Sequence, residues 1–126
     1  MAEYQPGVCN IGLAEIARRR QAGYIGAAVA IVLLALLVVL NTSNIWRLLL
    51  FIPVTVSAEG FLQAYFKFCA AYGFKGVYNL VKPVRQTESI QNAEFRKKDR
   101  LKALKITAYS VFIGAAVAVI AYLLPF

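Results

Sequence analysis

Histidine is absent from this 126-residue chain. That excludes a Ser-His-Asp triad, an imidazole proton shuttle and any metal or haem site built on a histidine ligand of this chain. Cysteine is scarce. Cys9 and Cys69 are the only two, too few for a four-thiolate zinc or iron–sulfur site. Acidic residues number 6 against 14 Lys and Arg, giving a formal net charge of +8. What the chain has in quantity is apolar residues, 60% of the total. They are blocked into long runs rather than spread at helix or strand period, a pattern foreign to a soluble domain. The basic residues flank those runs. The charge therefore points to a lipid bilayer with an anionic inner leaflet, and not to nucleic acid.

Three runs are long enough to cross a membrane as helices, at about 23–40, 45–70 and 106–124. The first holds 18 uncharged residues, about 27 Å of helix against a hydrocarbon core of roughly 30 Å. The segment Asn41-Thr42-Ser43-Asn44 is a turn. The second run opens with Trp46 and Arg47, an aromatic belt residue beside a snorkelling cation, and contains Pro53, which predicts a kink.

The remaining segments are basic. Asn10 is an expected N-cap for a short surface helix that ends in Arg18-Arg19-Arg20. Residues 73–105 form a basic loop with nine cations, in which Lys82-Pro83 breaks any helix and Thr87 is an expected N-cap for a basic helix over 88–105. Cation placement puts the N-terminus and this loop in the cytoplasm and the C-terminus outside, in a bacterial-type inner membrane. Arg18, Arg19, Arg20, Arg96, Lys97 and Lys98 are the expected lipid-headgroup contacts. The fold class is all-α membrane, one polytopic domain over residues 1–126.

Small residues mark where helices can meet. Gly26 with Ala30, Gly60 with Ala64, and Gly114 with Ala118 are steps of four that let backbones approach closely. The first and last of these sit in an echo, Ile25-Gly26-Ala27-Ala28-Val29-Ala30 recurring as residues 113–118. Six small apolar residues match readily by chance, and no duplication is inferred.

Two sets of residues could carry chemistry. Thr55, Glu59, Gln63 and Lys67 recur every four residues and so share a helical face inside the second span. A carboxylate there costs several kcal/mol unless paired, protonated or hydrated. The stripe reads first as a polar seam between helices, and second as a path for protons or ions. The other set is the thiols. Cys69 falls near the cytoplasmic end of the second span and Cys9 lies on the same side, so they form a candidate thiol site. From spacing alone, two unrelated thiols in a reducing compartment are the simpler reading.

Two pieces carry a resemblance. Asn10-Ile11-Gly12, Glu15, the arginines Arg18 to Arg20 and Gly23 form one. Phe68-Cys69-x-x-Tyr72-x-x-x-Gly76 forms the other. In this order they resemble the small inner-membrane domain attached to rhodanese in YgaP-type sulfurtransferases, over about residues 9–80. Ala70 stands where that family has proline, and the basic loop and third span are additional. The resemblance implies membrane association, oligomerisation and, at Cys69, a sulfur-handling thiol.

Taken together, the sequence predicts a non-enzymatic membrane component, oligomeric or an accessory subunit of a larger complex. A thiol-based sulfur or redox carrier and a small channel or transporter are the alternatives. No catalytic constellation, metal site or cofactor is expected. Homo-oligomers or other membrane subunits are the expected partners.

Overall fold

The computed structural model describes residues 4–79 and 87–125. Among these residues three helical segments are long and apolar enough to cross a membrane: Leu13–Val39, Asn44–Phe66 and Ala93–Leu123. Lys82-Pro83 and Arg85 of the expected loop lie outside the described residues.

Helix α1 is Leu13–Val39, 27 residues, or about 40 Å long. It is one unbroken helix. The expected short surface helix and first span are merged, and the start is Gly12 rather than an Asn10 cap. The reason lies in its buried face. Glu15, Arg19, Gly23, Gly26, Ala30 and Leu37 follow one another at steps of three, four and seven. The polar N-terminal turns therefore continue the same stripe as the apolar ones, with no reason to break.

The chain turns at Asn41, whose φ is +53°, and re-enters as a 3-10 helix, Asn44–Leu50, leading into α2, Phe51–Phe66. Pro53 falls in the first turn of α2, where its missing N–H costs little. The second span thus ends at Phe66, short of the expected residue 70. A six-residue helix α3, Ala70–Lys75, follows. Strand β1, Val77–Tyr78, pairs antiparallel with β2, Glu88–Ser89.

The last element is α4, Ala93–Leu123, 31 residues, about 46 Å long. Its N-cap is Asn92, whose side chain accepts from the N–H groups of Glu94 and Phe95. Thr87 is not the cap, because Glu88 and Ser89 are committed to the hairpin. The basic helix and the third span are continuous. Phe95 and the cations after it ride on the N-terminal turns of a helix longer than a hydrocarbon core.

Helix α2 is central, packed against α1 on one side and α4 on the other. The six small residues named above are all buried, and they are spent inside the chain. A Cβ on Gly60 would lie 2.6 Å from the Arg19 carbonyl oxygen of α1, and one on Gly26 would lie 2.8 Å from the Ser57 nitrogen of α2. Ser57 Oγ donates to the Gly23 carbonyl at 2.7 Å across the same contact. On the other side, Gly114 admits Thr55 of α2.

Two buried polar residues tie the ends. Arg47 is 3% exposed. It does not snorkel to an interface, because its Nη1 donates to the carbonyls of Ala121 (3.1 Å) and Leu124 (3.0 Å) at the end of α4. The Ala121 carbonyl otherwise accepts only a long 3.4 Å bond from the Leu124 N–H, and the guanidinium supplements it at the helix end. At the opposite end, Asp99 of α4 is fully buried and accepts from Tyr4 Oη and the Gly7 N–H, both at 2.7 Å. This pins the segment before α1 across the start of α4.

Candidate functional site

The site grows from the end of α2. Lys67 takes the left-handed conformation, φ 56° and ψ 42°. The Phe68 N–H then donates to the Gln63 carbonyl and the Lys67 N–H to the Ala64 carbonyl, the two bonds of a Schellman turn. Phe68 is driven into the core with no exposed surface. The turn swings Cys69 off the span and makes it the N-cap residue of α3.

Asn10 then clamps the turn. Its Oδ1 accepts from the Cys69 N–H at 2.7 Å, and its Nδ2 donates to the Cys69 carbonyl at 3.1 Å. The side-chain amide imitates a strand neighbour, satisfying both backbone groups of Cys69 in a buried place. The Asn10 backbone continues the weave, donating to the Lys67 carbonyl and accepting from the Asn79 N–H. Asn10 therefore serves the thiol segment instead of capping a helix.

From α1, Glu15 and Arg19 reach into the same place. Glu15 is 1% exposed and Arg19 is 9% exposed. Arg19 Nη1 donates to Glu15 Oε1 at 2.9 Å, and Arg19 Nη2 donates to Cys69 Sγ at 2.8 Å. Glu15 Oε2 accepts from the Tyr72 hydroxyl and from Asn79 Nδ2 (3.3 Å). Arg18 Nη1 approaches Glu15 Oε1 at 3.5 Å from the half-exposed side. The Arg19 guanidinium also lies 5.4 Å from the centre of the Tyr72 ring. Burial and the hydrogen bond to Glu15 push the Tyr72 hydroxyl above its ordinary titration range. Burial likewise pushes the Cys9 thiol up, against a backbone hydrogen bond at Ile11 and the Lys67 charge, which pull it down.

Arg19 is thus withdrawn from the expected headgroup contacts; its charge is spent internally. Arg20, Lys97 and Lys98 are exposed, while Arg96 is half-buried and donates to the Ile90 carbonyl at 2.8 Å. The four-step stripe on α2 is not one network. Glu59 accepts from Thr107 Oγ1 of α4 at 3.3 Å, Gln63 Oε1 accepts from the Ala70 N–H at 2.9 Å, and Lys67 has left the helix. Cys9 and Cys69 are both buried and free.

Glu15, Tyr72 and Asn79 are the members that composition-led reading undervalues. A signal existed for the first: Glu15 and Arg19 lie four apart, on the face continued by Gly23 and Gly26. None existed for Asn79, whose place depends on the chain returning past Asn10.

A cavity of about 370 Å³ abuts the cluster, lined by Arg18, Arg19, Tyr72, Lys75 and Thr87 among others. Comparison with protein-family models, with curated proteins and with solved structures finds no match.

Proposed function

We propose that this chain is a three-span inner-membrane thiol protein, with its N-terminus and the 73–105 segment cytoplasmic, in which Cys69 carries sulfur or redox equivalents. The observation that carries the reading is the 2.8 Å contact from Arg19 Nη2 to Cys69 Sγ. A guanidinium donating to sulfur is an oriented, charged hydrogen-bond partner for that atom. Glu15 holds that guanidinium in place. Spacing alone favours two unrelated thiols; an oriented cation on one of them favours a used thiol. The likeness of residues 68–76 to YgaP-type domains supports the same residue.

In sulfur transfer, the Cys69 thiolate attacks the terminal sulfane sulfur of a persulfide or polysulfide. A new S–S bond forms, the donor's S–S bond breaks, and the donor departs as a thiolate. The thiol proton passes to solvent. Arg19 and Tyr72 cover the sulfur and also wall the cavity, so displacement of the Arg19 side chain opens the approach.

The test is mass spectrometry of the full-length protein in detergent after exposure to inorganic polysulfide. One extra sulfur atom on Cys69 is expected, retained in Cys9→Ala and reduced in Arg19→Lys, which keeps the charge and loses the fork. An unmodified Cys69 in folded wild-type protein sinks the reading.

A second reading, a subunit of a membrane assembly, is favoured by Glu59. It is half-buried on α2 with Thr107 as its partner and lines a smaller cavity of about 190 Å³ with Arg19 and Gln63. A carboxylate at that depth is stabilised by further polar neighbours. Native mass spectrometry of wild type and Glu59→Gln checks it: a monomer in both, with no co-purifying subunit, removes this reading.

A further inference from the structure

The cavity beside the thiol cluster has a charge problem that the cluster does not solve. Arg18, Arg19 and Lys75 face it. Among the described residues that line it there is no carboxylate. Glu15 stands behind Arg19, its oxygens taken by Arg19, Arg18, Tyr72 and Asn79. Among the described residues, three cations line the space and one carboxylate stands behind them, so positive charge is in excess there. Like charges held together are costly unless an anion joins them.

One of the three cations is set before any ligand arrives, and the other two reach the space from α1 and α3. Arg19 is fixed by Glu15 and Cys69. Lys75 closes α3, immediately before Gly76, whose φ of +73° turns the chain into the hairpin. Arg18 sits one residue from Arg19 on α1, half-exposed and loosely held by Glu15. The Thr87 residue adds a hydroxyl, a donor suited to an oxyanion. The volume, about 370 Å³, lies at the small end of ligand pockets and holds a tetrahedral oxyanion with a short organic arm.

From this we infer that the cavity between α1, α3 and Thr87 is a binding site for a phosphate-class oxyanion, held by Arg18 and Lys75, with Arg19 in the wall behind them. The oxyanion is either a free small molecule or the phosphate of an anionic lipid headgroup. The site does not depend on chemistry at Cys69, and it stands if that thiol is inert.

The experiment uses the full-length protein in nonionic detergent, titrated with inorganic phosphate against a chloride control of equal ionic strength. Saturable one-to-one binding is expected. Lys75→Gln and Arg18→Gln are each expected to weaken it about tenfold, the loss of one charge-assisted contact. Cys69→Ser, which keeps an acceptor for Arg19 and removes the sulfur, is expected to retain saturable phosphate binding while taking up no sulfur, which separates this site from the thiol reading. In nanodiscs, a lipid source predicts that phosphatidylglycerol displaces phosphate while phosphatidylcholine does not. A free-ligand source predicts that neither does. No saturable phosphate binding in detergent, or equal binding in wild type, Lys75→Gln and Arg18→Gln, overturns the proposal.

Discussion

Arg19 meets Cys69 across 50 residues of sequence, with its Nη2 atom 2.8 Å from the sulfur and its Nη1 atom 2.9 Å from Glu15. One guanidinium thereby couples the first helix to the turn that ends the second. Removing it leaves Glu15 buried without its strongest partner. Arg19→Met is expected to destabilise the folded protein by about 3 kcal/mol, while the double variant Glu15→Gln/Arg19→Met recovers part of that loss. Thermal unfolding in detergent measures both. Equal stability of the double and single variants would show that the charge pair is not the source.

Lys67 holds a left-handed backbone conformation that a Cβ disfavours by roughly 1 kcal/mol. Lys67→Gly is therefore expected to stabilise the protein slightly, by up to about 1 kcal/mol, since glycine is the usual residue in a Schellman turn. The same change removes a cation that pulls the Cys9 thiol down, so Cys9 should alkylate more slowly at a given pH. Stability from unfolding and labelling rate from mass spectrometry are independent readouts.

Arg47 satisfies two carbonyls at the end of α4. Arg47→Met removes the guanidinium from both and leaves Ala121 with only the long bond from the Leu124 N–H, at a cost of about 1–3 kcal/mol. Hydrogen exchange should localise the damage to the last turn of α4. Protection there unchanged from wild type would remove the capping role.

Alkaline pH gives a further check. The folded chain holds the Cys9, Tyr4 and Tyr72 protons more tightly than the unfolded chain does. Groups raised in this way stabilise the folded state less as pH climbs past their ordinary values, 9.0 for the thiol and 10.0 for the phenols. Unfolding temperature is expected to fall above that range, and Cys9→Ala should delay the first part of the fall. A flat profile to the upper end of the range contradicts the assignment.

Much of the architecture was open to reading in one dimension. Runs of apolar residues as long as a bilayer is thick have few stable forms other than spanning helices, because backbone groups there must be satisfied within the segment. The glycines at 26, 60 and 114 stand where a Cβ would meet the neighbouring helix. Reading failed where local signals competed with distant partners. Asn10 and Thr87 both look like helix caps, yet one clamps Cys69 and the other precedes a hairpin strand. Arg18 to Arg20 look alike in sequence. Exposure separates them, because Arg19 alone lies on the buried stripe of α1.

The sequence by itself determined three long apolar helices, their turns and their small-residue contacts, because hydrophobic period and the lack of side-chain volume are local properties. Tertiary structure alone decided that Glu15, Arg19, Cys69, Tyr72 and Asn79 meet. Their meeting depends on a left-handed turn at Lys67 and on the return of residues 77–79 past Asn10. Such contacts are chosen by the need of buried polar groups for partners, and that need is satisfied only after the chain has folded.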